Sequence, residues 1–153
     1  MNGISPLQLN RVVFTDVRLS AQPDAYLGED GIFNTQVEFG ATPLSEDRRQ
    51  WNVIVRVNLK PADDKKPTYL GTVEAVGHFE VNAEWPKEQV EKLVVVNGTS
   101  ILYGSIRELV MTITARGPWP PIMLVSQSFV ASYEQNKMST GKASAGSITA
   151  SST

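Results

Sequence analysis

Few residues in this chain could carry out a reaction, and their spacing argues against one. His78 is the only imidazole. As a general base it would need a nucleophile within hydrogen-bond reach and a third group to orient it. At two-residue steps it shares parity with Thr72, Glu74 and Glu80, so it reads as a solvated histidine on the polar face of a strand. Glu74, Glu80 and Glu84 could be imagined as paired acid and base, but Glu74 and Glu80 fall on that same wet face, where nothing raises a carboxyl pKa. With no cysteine and one histidine, the chain can build neither a thiolate cage nor the usual N/S zinc site. Gly98 and Gly104 match the spacing of neither nucleotide-binding loop. Asn97-Gly98-Thr99 fits a glycosylation sequon but reads more simply as a helix stop. Pro118-Trp119-Pro120-Pro121 could serve as a polyproline ligand, or form a rigid turn whose tryptophan packs on the sheet. The expectation is a protein that is not an enzyme and needs no metal or cofactor.

The elements that position these residues can be read from periodicity. From Leu9 to Ala21, Val13, Val17 and Leu19 share one parity and Asp16, Arg18 and Ser20 the other, as in a half-buried strand. After a loop rich in glycine, proline and aspartate that carries Tyr26 and Leu27, a second strand runs from Ile32 to Phe39. The third is the clearest, with Trp51, Val53, Val55, Val57 and Leu59 alternating with polar neighbours. In the fourth, Tyr69, Val73, Ala75, Phe79 and Val81 face one way, and Gly71 and Gly77 signal a close backbone approach or a bend. Beyond Trp85 the period lengthens. Pro86 opens a short helix to about Val96, Asn97-Gly98 stops it, and Ser100 caps the next, whose apolar side carries Leu102, Ile106, Leu109, Val110 and Ile113. Gly117-Pro118 ends that helix, and a last one spans about Gln127 to Gln135. Strands followed by helices predict an α+β fold, a four-stranded antiparallel sheet with helices packed on one face.

The chain has 153 residues, 41% hydrophobic and 20% charged, with a net charge of -2. That suits one domain with its own core and offers no basic field for nucleic acid. The N-terminus shows no secretory signal, and nowhere do about 18 apolar residues run together, so a cytoplasmic protein with no membrane insertion is expected. We divide it into an N-terminal extension (1–8), a domain (9–135) and a tail (136–153) too poor in apolar residues to order itself.

One segment carries more information than the rest. Ile101, Leu102, Tyr103, Arg107, Glu108, Arg116, Gly117, Trp119, Pro120, Leu124, Phe129 and Tyr133 fall in the order of the C-terminal half of the SecB family of export chaperones. Phe14-Thr15-Asp16 and the run Thr72 to Phe79 resemble its first and fourth strands. The resemblance implies the α+β fold already read and a homotetramer built as a dimer of dimers. It also implies an ATP-independent holdase that binds unfolded or precursor polypeptides in an apolar groove and is linked to protein export. By position the groove falls on Tyr26, Phe33, Val37, Phe39, Tyr69, Leu70, Trp85 and Leu93, and docking to the SecA motor on Asp16. Two departures stand out. Tyr103-Gly104-Ser105 replaces the family's Phe-Pro-Tyr step, and Ser20 and Thr72 occupy acidic positions of the docking patch, with Arg18 close by. Losing acids weakens a surface that works by opposite charge. The alternatives are a dedicated chaperone for the antitoxin of a toxin-antitoxin pair, or a structural module reusing the fold.

Overall fold

The alternation read from the third strand is realised across a whole sheet. The computed structural model describes residues 3–25, 33–62, 66–140 and 148–152. Its elements are β1 (Leu7–Ala21), β2 (Phe33–Pro43), β3 (Gln50–Pro61), β4 (Tyr69–Val81), α1 (Lys87–Leu93), a π-helical turn (Val94–Gly98), α2 (Thr99–Thr114), α3 (Phe129–Thr140) and β5 (Ile148–Ser152). The strands pair antiparallel in the order β1-β4-β3-β2-β5. Val37, Phe39, Trp51, Val53, Val55, Val57, Val73, Ala75 and Phe79 point from one face into the core, all but sealed from solvent. Asn52, Arg56, Asn58, Thr72, Glu74 and His78 occupy the other face.

Helices cover the apolar face. Leu102, Ile106 and Val110 form a buried stripe along α2 at four-residue steps, joined by Val90 and Val94 before it and Phe129 and Tyr133 from α3. Phe129 fixes α3 on the sheet through edge-to-face contacts with Phe39 (5.2 Å) and Tyr103 (5.7 Å). No helix among the described residues is long and apolar enough to cross a membrane.

Three local readings are corrected. Asn97-Gly98 does not stop a helix: the backbone stays helical from α1 through the π-turn into α2. A Cβ on Gly98 would sit 3.2 Å from Val53 Cγ2, so glycine lets the turn lie close on the sheet. Ser100 does not cap α2; its hydroxyl donates back to the Val96 carbonyl at 2.8 Å inside the continuous helix. In β1, irregularities between Leu9 and Arg11 and between Phe14 and Asp16 shift the parity. Val12 and Phe14 therefore join Val17 and Leu19 on the helix side, opposite Gly77, Ala75, Val73 and Gly71, while Val13 turns to the polar face opposite Val76. The expected antiparallel sheet of β1 to β4 is present; Ile148–Ser152 adds β5 at its β2 edge, and 136–140 continue α3. Main-chain pairing to an open strand edge asks little of side-chain composition, which is why a polar, small-residue sequence can join it.

The close approach expected at Gly71 is present. It has φ +154°, and a Cβ there would collide with the Arg18 carbonyl of β1. Gly77 likewise leaves space for Leu102 of α2.

Candidate functional site

A turn after β4 sets up the most apolar recess on the molecule's surface among those described. The Asn82 side chain accepts from the Glu84 amide at 2.8 Å and its carbonyl from the Trp85 amide at 3.0 Å, folding the chain back so that Trp85 lies beside the helices. Pro86 then leads into α1. Trp85, Leu93, Val96 and Val130, with Gln89, Lys92 and Asn97 at the rim, line a groove of about 530 Å³. Lys92 of α1 reaches Glu134 of α3 at 3.5 Å, tying the two helices together. The Trp85 indole N–H is buried and has no acceptor among the described residues.

Further apolar side chains are exposed nearby in sequence. Met123 and Val125, in the connection before α3, are 68% and 61% exposed, and Val130 in α3 is 43% exposed. That connection is held by Tyr103, whose hydroxyl donates to the Val125 carbonyl at 2.6 Å and whose burial pushes its pKa up. A second apolar row lies on edge strand β1, where Leu9, Val12, Phe14 and Val17 are each between 37% and 44% exposed although they face the helix side of the sheet.

The described residues assigned to a groove by position fall in three places. Trp85 and Leu93 line the recess. Val37, Phe39 and Tyr69 are sealed in the core and offer no surface to a guest in this protomer. Leu70 lies on the opposite face from Tyr69, across from Ser20. Tyr69 and Leu70 also open β4 while Trp85 follows its end, and 13 strand residues separate the two by about 40 Å. Phe33 opens β2 opposite Pro61, but its side chain, like the whole of Tyr26, lies outside the described residues. Gln89, Val96, Asn97 and Val130 were missed. Val96 and Asn97 could not be found while the helix was thought to end there, and Val130 is exposed on a helix with no clear apolar stripe.

Asp16 sits on the polar face opposite Glu74. The Arg18 guanidinium grips its carboxylate with two hydrogen bonds of 2.8 and 2.9 Å and holds its pKa below the usual range. Glu74 accepts from the Thr15 hydroxyl at 2.6 Å and from Arg56 at 2.8 Å, and these lower its pKa against the opposing effect of burial. Asp16 and Glu74 are thus each engaged by an arginine, while Glu80 on the same face accepts from the Asn10 amide.

His78 lies in register with Arg11 on one side and Asn52 on the other. A polar recess near Ser45, Asp47, Arg49 and Glu80 is braced internally: the Ser45 hydroxyl and the Arg49 amide hold the Asp47 carboxyl low, and Arg49 donates to the Asn82 carbonyl at 2.8 Å. Among the described residues no group of histidine, aspartate and glutamate could hold a metal ion.

Comparison with known proteins gives a consistent result. The SecB family model, described as preprotein translocase subunit SecB, matches residues 5–140. Protein-export protein SecB of Bradyrhizobium diazoefficiens is 30% identical over 109 residues, 71% of this chain and 66% of that protein. The Anaplasma phagocytophilum SecB is 29% identical over 87 residues, 56% of this chain and 55% of its own length, and that of Polaromonas is 27% identical over 134 residues, covering 85% and 87%. This chain thus spans between half and two thirds of the first two relatives. A solved SecB-like chaperone from Mycobacterium tuberculosis, in complex with a peptide from an antitoxin, shares the fold with a TM-score of 0.56 at 17% identity, over 80% of this chain and 91% of that one. With the family model spanning nearly the whole described domain, and the sheet-and-helix order in place beneath it, the chain belongs to the SecB family.

Proposed function

We propose that this protein is an ATP-independent holdase that keeps unfolded or precursor polypeptides soluble by binding their apolar segments. The observation that carries this reading is the open groove of Trp85, Leu93, Val96 and Val130, with Val125 and Met123 also exposed in the connection before α3. Burial of apolar area is worth roughly 25 cal/mol per Å² whatever the sequence that supplies it, so such a surface accepts many guests. No bond is made or broken in this reading. It implies a cytoplasmic protein, where precursors are still unfolded, and assigns the groove to Trp85, Leu93, Val96 and Val130.

The reading includes a homotetramer built as a dimer of dimers. What supports self-association is the row Leu9, Val12, Phe14 and Val17 on an edge strand, apolar side chains on a ladder with one neighbour, β4, among the described residues. A second copy would cover both.

For the next partner, two readings remain. Docking to the SecA motor through Asp16 is the first. The second, a dedicated chaperone for an antitoxin, is favoured by a specific feature: Asp16 and Glu74 are engaged by Arg18 and Arg56, leaving little net field to attract a basic partner. The antitoxin peptide bound by the Mycobacterium protein is a guest of that class.

The test is titration of a permanently unfolded polypeptide into the protein without nucleotide. Binding that Trp85→Asp weakens about tenfold supports the holdase; no binding to several such polypeptides overturns it. Salt-sensitive binding to SecA separates the two partner readings.

A further inference from the structure

The outer edge of β2 is occupied by the chain's own tail. Ile148–Ser152 pairs antiparallel with Thr35 to Phe39, in the register Phe39↔Ile148, Val37↔Ala150 and Thr35↔Ser152. Beyond Phe39, β2 continues to Pro43 with no β5 partner. β5 also lies beside α3, the helix that carries Val130 of the groove, and Phe39 of β2 packs edge-on against Phe129 at the start of α3. An extended peptide leaving the groove along α3 would therefore meet the edge that β5 covers.

We propose that Ile148–Ser152 is a displaceable strand that competes with guest polypeptide for the β2 edge, so that the tail weakens guest binding until a guest drives it off. This rests on the holdase reading. Three features support it. The strand's sequence, Ile-Thr-Ala-Ser-Ser, has one large apolar residue, and its pairing with β2 is a main-chain ladder. Those bonds are offset by the backbone freedom lost in ordering the segment, which leaves the pairing close to balanced. And β5 belongs to the same chain as the edge it covers, which raises its effective concentration there over that of a separate peptide. A guest of high sequence variety can use the same edge, because its amides and carbonyls are common to every polypeptide.

Two variants of the full chain test this. In an antiparallel ladder the inward N–H groups alternate, so the pair Thr149→Pro and Ala150→Pro must remove one of them and should release β5. Conversely, Glu38 and Thr149 are directly opposite, and the chain has no cysteine of its own. Glu38→Cys with Thr149→Cys can thus be joined by a single disulfide that locks the strand down. Binding of a fluorescent, permanently unfolded polypeptide is measured by anisotropy. The proline variant is expected to bind about 3- to 10-fold tighter than the unsubstituted chain, and the oxidised cysteine variant several-fold more weakly, with recovery on reduction. Amide hydrogen exchange along Thr35 to Phe39 should speed up in the proline variant before guest is added. Equal binding by all three forms overturns the competition while leaving the holdase reading intact. No binding by any form brings both down.

Discussion

Trp85, in the turn after β4, and Val130, in the first turn of α3, line one groove, brought together across the helical run that separates them in sequence. Val130 is exposed, whereas Trp85 is partly buried and packs against the core. Trp85→Asp and Val130→Asp should each weaken binding of an unfolded polypeptide about tenfold, roughly 1.4 kcal/mol, with little change in Tm for Val130→Asp and a lower but still cooperative melt for Trp85→Asp. Ile54→Asp, at an equally exposed apolar site on the opposite face, should leave binding unchanged. Fluorescence anisotropy with a labelled polypeptide and thermal melts check this. A melt lowered by many degrees in Val130→Asp would move that residue into the core.

The apolar row on β1 gives a separate prediction. Phe14→Asp combined with Val17→Asp puts charge where a second copy is proposed to pack, on side chains already 39% and 44% exposed. The mass measured by light scattering should fall to that of a smaller species while far-UV circular dichroism is retained. An unchanged mass would show that this row is not an interface.

Gly117 and Tyr69 give a stability prediction. The Tyr69 hydroxyl donates to the Thr114 carbonyl at 3.2 Å and accepts from the Trp119 amide at 3.3 Å, and a Cβ on Gly117 would collide with it. Gly117→Ala should cost about 1–3 kcal/mol in urea unfolding. Because the clash is with the hydroxyl, the same substitution should cost less in a Tyr69→Phe background, and the double-mutant cycle should show that coupling.

Acid stability should depend on Glu74. Its folded-state pKa is depressed, by the Thr15 hydroxyl first and then by Arg56. The stability it contributes is therefore present above the ordinary glutamate pKa and is lost as pH falls through that value toward the lower folded one. Glu74→Gln should lower stability at neutral pH and flatten its decline between about pH 5 and pH 3, as followed by urea midpoints. A parallel decline in both proteins would contradict this.

The strands were legible because burial on one face of a sheet imposes a period of two, and Trp51 to Leu59 and Tyr69 to Val81 obey it strictly. β1 was read only in part: its irregularities add residues that local alternation cannot register, so Val13 was assigned to the face that Val12 and Phe14 occupy. Asn97-Gly98 carries a strong local turn signal, yet packing of the π-turn on Val53 and Phe79 outweighs it. That misreading obscured one stretch of the groove, since Val96 and Asn97 line it at the supposed helix end. Trp85, Leu93, Val37, Phe39 and Tyr69 were all assigned to a groove by position from the family resemblance; the first two line the recess, and the apolar character of the last three takes them into the core.

The most direct test is aggregation of a chemically denatured model protein on dilution into buffer without nucleotide, followed by light scattering with and without this chain. Near-stoichiometric protein should suppress the scattering, and Trp85→Asp should lose most of that suppression while staying folded. Scattering that rises equally in the presence and absence of the protein, with several different model proteins, would contradict the holdase account.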